Sequence, residues 1–120
     1  MVVCYTTKEG WMAKFKYIQW LMTFLEAFEF FVFDWDAGNS NKSEDKHGVS
    51  IEQIESCFID EKIMPLGIQL EPEVKEDRYG IIAKDFEGKI LFVCFTIRGG
   101  KIRPVSGRFA NKKEREMYEA

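Results

Sequence analysis

The sequence predicts an α+β domain built on an antiparallel sheet of about four strands with flanking helices. Three strand-like segments follow one another late in the chain, at residues 78–84, 90–97 and 102–108. Short glycine-containing connections join them, as in tight hairpins. Helical patterns precede and follow this meander, and the separation of strands from helices favours α+β over a parallel α/β fold.

The length of 120 residues and the 46% hydrophobic content suit one main core. We expect a helical extension over residues 1–29 and a main domain over residues 30–120. The three cysteines are far apart and show no CxxC spacing, so they indicate neither a disulfide framework nor a zinc site. The first residues lack the pattern of a secretory signal, and we expect a cytoplasmic protein.

The N-terminal segment, residues 8–28, is predicted to be helical because apolar residues recur at spacings of four and three. They form two stripes: Trp11, Phe15, Ile18, Met22 and Leu25, and Tyr17, Leu21, Phe24 and Phe28. One stripe can pack on the domain, which leaves the other for a second subunit, a partner helix or a membrane interface. Charged residues interrupt the segment, so a membrane span is not expected.

The middle of the chain carries local signals for short elements. Residues 30–33 form an apolar run typical of a buried strand. A short polar helix ending at Gly48 should follow, and Ser50 with Gln53 forms a capping box for the next helix. Residues 59–77 are interrupted by proline and glycine, which predicts a mobile, irregular connection with one extended piece. Asn111 should cap a final helix.

The charge is segregated along the chain. The net charge is -3, which argues against nucleic acid for the molecule as a whole. However, residues 89–115 hold eight Lys or Arg and one acid, whereas residues 51–77 hold eight acids and two lysines. This pattern predicts a basic working face opposite an acidic one, although an unevenly charged solvated surface explains it equally well.

The last strand and final helix offer a phosphate site. Strict alternation places Arg103 on one face of the strand and Arg108 on the other. Arg108 comes just before the helix N-terminus at Asn111, where free backbone N–H groups favour an anion. Alternatively, each arginine pairs with an acid such as Asp85, Glu114 or Glu116.

Two further groups allow either a catalytic or a structural interpretation. His47 is the only histidine, and it can exchange protons near neutral pH or simply complete a helix end. Asp34 and Asp36 flank Trp35, which suits a paired-carboxylate site. The more ordinary interpretation is that Asp36 caps the following turn and Trp35 belongs to the core.

Six short motifs occur in order over residues 33–119. They are WDAGN at 35–39, KHGVS at 46–50, EDRY at 76–79, TIRG at 96–99, IRPVSGR at 102–108 and NKKEREMY at 111–118. In this combination the chain resembles the BrnT-type toxins of bacterial type II toxin–antitoxin systems.

The resemblance implies a fold similar to RelE-type ribonucleases and an endoribonuclease activity that cleaves RNA, inhibits growth and needs no metal or other cofactor. It also implies a cognate ribbon–helix–helix antitoxin that binds operator DNA, and it allows a homodimer. No membrane partner is implied.

Matched by position, the resemblance implies catalytic or phosphate-binding roles for four arginines: Arg78, Arg98, Arg103 and Arg108. It implies proton transfer for Lys46 and His47, and RNA-backbone binding for three cations near the C-terminus: Lys112, Lys113 and Arg115.

Three positions depart from the family pattern, which usually has Asn at Ser43, Ala at Gly107 and a charged residue at Phe109. These departures leave an alternative, an inactive member that binds an antitoxin or nucleic acid without cleavage.

Overall fold

The computed structural model describes residues 2–6, 12–27 and 31–120 and shows one six-stranded antiparallel sheet in the order β1-β2-β3-β4-β5-β6. The strands are β1 (Val2–Thr6), β2 (Met12–Lys16), β3 (Met64–Glu71), β4 (Tyr79–Lys84), β5 (Ile90–Arg98) and β6 (Lys101–Phe109). The helices are α1 (Gln19–Ala27), α2 (Lys42–His47), α3 (Ile51–Cys57) and α4 (Lys112–Glu119). The predicted α+β class is confirmed.

The strongest local predictions are confirmed. The three meander strands lie within one residue of their predicted limits at each end. Gly48 ends α2 in the left-handed region, at a φ of 70°. Ser50 and Gln53 form the predicted capping box at the start of α3, and Asn111 caps α4.

The prediction of one N-terminal helix is wrong for residues 12–16, which form β2, and helix α1 begins only at Gln19. Phe15 alternates with Lys14 and Lys16, and its ring is 1% exposed. It packs against Gly80, where a Cβ atom would lie only 2.8 Å from the ring. Both β1 and β2 join the main sheet. The rest of the predicted helix, residues 8–11 and 28, lies outside the described residues.

Two predictions for the middle of the chain also need correction. The strand predicted at residues 30–33 is reduced to one parallel bridge, Phe33 with Ile102, and Phe30 lies outside the described residues. The irregular connection predicted over residues 59–77 contains the eight-residue strand β3. A register shift between Pro65 and Gly67 accommodates both residues in that strand.

Apolar side chains fill both faces of the sheet. On one face, α1 and α3 pack over a core that includes Leu21, Ile54, Ile81, Val93, Phe95 and Ile102. On the other face, a smaller cluster contains Phe15, Leu66, Ile82, Phe92 and Cys94, and Met117 and Tyr118 of α4 pack against it. None of the described helices has the length and apolar character needed to cross a membrane.

A bulge in β6 sets the direction of its arginines. Strand β5 pairs Cys94 with Ser106 and Phe95 with Pro104, so Val105 is an extra residue in β6. Beyond this extra residue, the side chains of β6 alternate between the two sheet faces in the opposite phase. Arg103 and Arg108 therefore project from the same face of the sheet. The prediction that they lie on opposite faces is wrong. Pro104 has no N–H to donate to a neighbouring strand and is tolerated at a sheet edge or a bulge, and β6 provides both.

Candidate functional site

A cleft of about 520 Å³ lies on the sheet face opposite α1 and α3, beside the hairpin of β5 and β6. Its lining includes one carboxylate, Glu76, and five cationic side chains: Lys42, Lys75, Arg78, Arg98 and Arg103. This composition favours a polyanionic ligand.

Sheet register brings the three arginines together. Arg103 of β6 lies directly opposite Thr96 of β5, and Arg98 follows Thr96 by two residues, so all three share one face. Arg78 immediately precedes Tyr79, which is the β4 partner of Phe95. Arg78 therefore reaches the same cleft as Arg98 and Arg103, because β4, β5 and β6 are neighbours in the sheet.

Two of these arginines are held by carboxylates. Arg103 donates two hydrogen bonds to Asp36, at 3.0 and 2.9 Å, and lies 3.6 Å from Asp34. Arg98 donates two to Glu76, at 2.7 and 2.8 Å. These bonds lower the pKa of Asp36 and of Glu76, and they raise the pKa of both arginines. The charges are therefore fixed at neutral pH.

The ion pairs leave donors available to a ligand. A guanidinium carries five N–H groups, and each pair with a carboxylate uses two of them. Arg78 lies within ion-pair distance of no carboxylate in the part of the chain that the structure describes. The cleft can thus bind an anion without breaking its internal pairs.

Arg108 is placed differently, at the other end of β6. It donates two hydrogen bonds to Glu114, at 2.7 and 2.8 Å, and its guanidinium lies 4.6 Å from the centre of the Phe92 ring. Arg108 is 8% exposed and does not line the cleft. The alternative that an arginine pairs with Glu114 is therefore correct for this residue.

The other predicted site residues also lie outside the cleft lining. Lys46 is exposed and His47 partly buried, on α2 just beyond the cleft residue Lys42. The predicted RNA-backbone residues lie exposed on α4: Lys112, Lys113 and Arg115. The structure thus brings together three of the six predicted catalytic residues.

The cleft residues that were not predicted as site residues include Lys42, Lys75 and Thr96. Thr96 interrupts the apolar run of β5, and that interruption was the available signal. Lys75 belongs to the segment 51–77, and the excess of acids in that segment gave no indication of a cation-lined site. Thr96 is 2% exposed, and its hydroxyl has no hydrogen-bond partner among the described residues.

The paired carboxylates Asp34 and Asp36 are arranged as the ordinary interpretation predicted. The Asp36 side chain accepts a hydrogen bond from Gly38 N–H at 2.7 Å, and its carbonyl accepts from Asn39 and Ser40. Trp35 packs against the core. In the described ranges, no group of three or more His, Cys, Asp or Glu residues could hold a metal ion.

Neither buried cysteine is suited to nucleophilic chemistry. Cys57 and Cys94 are free thiols. Burial raises the pKa of Cys57 to about 12 and that of Cys94 to about 11. Both thiols therefore stay protonated at neutral pH.

The three departures from the family pattern lie outside the cleft lining. Two of them contact each other, because Ser43 Oγ accepts a hydrogen bond from Gly107 N–H at 2.7 Å. Phe109 lies under the ammonium group of Lys89, with 5.4 Å between Nζ and the ring centre. These contacts lie at the C-terminal end of β6, whereas the cleft lies at its N-terminal end.

A comparison with protein families finds a match over residues 35–114. The matching family is described as a ribonuclease toxin, BrnT, of type II toxin–antitoxin systems. The matched range contains every residue that lines the cleft. Among curated proteins, no sequence matches the chain.

Proposed function

Since the chain belongs to the BrnT family of ribonuclease toxins of type II toxin–antitoxin systems, we propose that it is an endoribonuclease that inhibits growth by cleaving RNA in the arginine-lined cleft. The observation that carries this proposal is the convergence in one cleft of Arg98 of β5, Arg103 of β6 and Arg78, which immediately precedes β4.

The proposed reaction is attack by an RNA 2′-hydroxyl on the neighbouring phosphorus, with release of the 5′-oxygen of the next nucleotide. Negative charge on the phosphate oxygens increases in the transition state. Arg78, Arg98 and Arg103 stabilise that charge with preorganised N–H donors. An arginine keeps its proton throughout, so these residues bind and stabilise the phosphate and do not transfer protons. We therefore propose a reaction that requires no metal.

The carboxylates around the cleft support this role by orienting the cations. A bidentate pair holds a guanidinium in one plane. Asp36 is itself held by Gly38, so the position of Arg103 depends on the turn at residues 36–39. The arginines are thus oriented before RNA binds, and the free energy needed to organise them at that moment is lower.

For proton transfer we propose Lys46 and His47, as the resemblance implies. Lys46 follows the cleft residue Lys42 by four positions on α2, so the two lie on one side of the helix. Lys46 therefore lies one helical turn from a residue that lines the cleft, which supports a role in contacting a nucleotide larger than the phosphate alone.

We propose that Lys112, Lys113 and Arg115 bind the RNA backbone beyond the scissile phosphate. Helix α4 packs on the same sheet face as the cleft. The positions opposite Arg103 and Arg108 are four residues apart on β5, which is about 13 Å along a strand. One RNA strand can therefore reach both the cleft and α4. For Arg108, its burial against Glu114 supports a structural role in place of the catalytic one.

Membership of the family implies an antitoxin partner. We propose that this partner is a ribbon–helix–helix protein that also binds operator DNA, and that the N-terminal segment contributes to its binding or to a homodimer. The departures at Ser43, Gly107 and Phe109 do not enter the cleft lining. The geometry therefore favours an active enzyme over an inactive binding module.

The test is cleavage of mixed-sequence RNA by the purified protein in EDTA. Wild type should cleave, and Arg98→Ala should lose about 100-fold in rate, the usual effect of removing one donor to a transition-state oxyanion. The Arg98 side chain is 52% exposed, so the variant should fold normally. Induced expression without the antitoxin should stop growth for wild type only.

Lys101→Ala is the matched control. Lys101 is an exposed cation opposite Arg98 in the same hairpin and does not line the cleft. It should keep wild-type activity. A folded wild type that leaves RNA intact would contradict the proposal, and activity restored only by added Mg²⁺ would contradict metal independence.

A further inference from the structure

We propose that Thr96 is a phosphate-binding residue whose hydroxyl donates a hydrogen bond to a non-bridging oxygen of the RNA phosphate. The inference rests on the proposed function for the identity of the substrate. It adds a hydroxyl donor to the cations that line the cleft, and it fixes where in the cleft the phosphate binds.

The first support is the state of the hydroxyl. Thr96 is 2% exposed, and its Oγ1 atom has no hydrogen-bond partner in the part of the chain that the structure describes. Buried hydroxyls in folded proteins are nearly always hydrogen-bonded, because leaving one unsatisfied is unfavourable. An exception on the wall of a cleft is explained when the missing partner is a ligand.

The second support is the chemistry of the neighbouring side chains. Arg103 lies directly opposite Thr96, and Arg98 is the next residue of β5 on the same face. Guanidinium groups are donors only and cannot accept the hydroxyl proton. The carboxylates bound to these arginines, Asp36 and Glu76, accept hydrogen bonds from the guanidinium groups, and neither accepts one from Thr96. A phosphate brings several acceptor oxygens and can satisfy the hydroxyl and the arginines together.

The third support is position. Thr96 lies between Arg103 on β6 and the start of β4, where Arg78 enters the same cleft. We expect an anion bound between these three arginines to lie next to Thr96, because all four residues line the same cleft. The phosphate seat is therefore defined by Thr96, Arg78, Arg98 and Arg103.

The experiment compares Thr96→Val, which removes the hydroxyl at nearly constant shape, with Thr96→Ser, which keeps it. Binding is measured with a mixed-sequence RNA carrying 2′-O-methyl groups, which cannot be cleaved, and cleavage with the unmodified RNA. Thr96→Val should lose about 10-fold or more in both, as expected for a hydrogen bond to a charged group. Thr96→Ser should stay within about threefold of wild type.

Thermal stability separates this role from a structural one. Removing an unpartnered hydroxyl should leave the melting temperature of Thr96→Val unchanged or raised. Inorganic phosphate should raise the melting temperature of wild type and of Lys101→Ala, and it should raise that of Thr96→Val much less. A lowered melting temperature in Thr96→Val without ligand would overturn the proposal, because the hydroxyl would then stabilise the fold itself.

The outcomes distinguish this inference from the proposed function. If wild type cleaves RNA and Thr96→Val binds and cleaves equally well, the inference is wrong and the ribonuclease proposal remains. If wild type leaves RNA intact, the ribonuclease proposal fails, and the phosphate-dependent melting shift still decides whether Thr96 binds phosphate.

Discussion

Arg103 and Arg108 lie five residues apart on one strand, face the same side of the sheet and each form a bidentate pair with a carboxylate. They differ in the exposure of the partner. The side chain of Asp36 is 57% exposed, whereas that of Glu114 is fully buried. The same kind of ion pair therefore leaves Arg103 available to a ligand in the cleft, whereas at α4 it is buried and joins the helix to β6.

Solvent explains this difference. An exposed pair is weakened by water and salt, so a polyanion can compete for its arginine or use its remaining donors. A buried pair has no such competition, and losing one partner leaves an uncompensated charge. Sequence motifs contain both arginines in equivalent form, and only burial separates a binding residue from a structural one.

The largest expected effect is on stability, for Arg108→Ala. This change leaves Glu114 buried without its cation, and we expect a loss of about 3–5 kcal/mol in the free energy of unfolding. The stacking on Phe92 is lost as well. Urea unfolding at neutral pH measures the effect. A growth assay alone would attribute the resulting loss of function to catalysis, so folding must be measured beside it.

Arg103→Ala is the matched comparison. Its carboxylate partner is exposed to water, so the loss in unfolding free energy should be about 1 kcal/mol or less. RNA cleavage should nevertheless fall sharply. Equal stability of Arg103→Ala and Arg108→Ala would contradict the conclusion that the Arg108 pair is structural and the Arg103 pair is not.

The faces of these arginines show where prediction from sequence stops. The limits of β4, β5 and β6 were predictable because glycine turns and apolar runs are local signals. The presence of Pro104 also indicated an edge or a bulge. The side of the sheet to which Arg103 points depends on Val105 being the extra residue, which is set by pairing with β5. Pairing between strands is not readable from one strand alone.

The N-terminal segment illustrates a second limit. Apolar spacings of four and three fit a helix, and residues 19–27 are helical. Residues 14–16 also alternate in polarity, which fits a strand. They form a strand because they pair with β3 through backbone hydrogen bonds. Tertiary context overrides periodicity where two patterns overlap.

The next largest effect is expected for Gly107→Ala, at the Arg108 end of β6. A Cβ atom there would lie 2.8 Å from Cγ1 and 2.9 Å from Cδ1 of Ile54, which is 2% exposed. Overpacking of this kind costs about 1–3 kcal/mol. Urea unfolding measures this loss. Gly107→Ala should cost less stability when it is introduced into the Ile54→Val variant than when it is introduced into wild type, because the smaller side chain leaves more room.

Gly38→Ala makes the same change at the cleft end. The new Cβ atom would lie 3.1 Å from Asp36 Oδ1, the end of an exposed side chain that can shift. We expect a smaller loss than at Gly107. A larger loss at Gly38 would show that the cleft end is packed as rigidly as the Arg108 end.

The smallest expected effect concerns pH and the Asp36 pair. The hydrogen bonds from Arg103, followed by the bond from Gly38, hold the pKa of Asp36 below its ordinary value of 3.8. The folded state therefore favours the ionised carboxylate. This contribution to stability is fully present above that ordinary value and is lost as the pH falls through the lower pKa of the folded state.

When the pH is lowered from 4, the free energy of unfolding should accordingly fall less in Asp36→Asn than in wild type. The difference should be small because the carboxylate is exposed. Urea midpoints at several pH values measure this, with Asp45→Asn, an exposed acid on α2, as the control. A pH profile that is identical in Asp36→Asn and wild type would show that the pair contributes nothing to folding. Asp36 would then act only by orienting Arg103, and its effect would be visible in RNA cleavage alone.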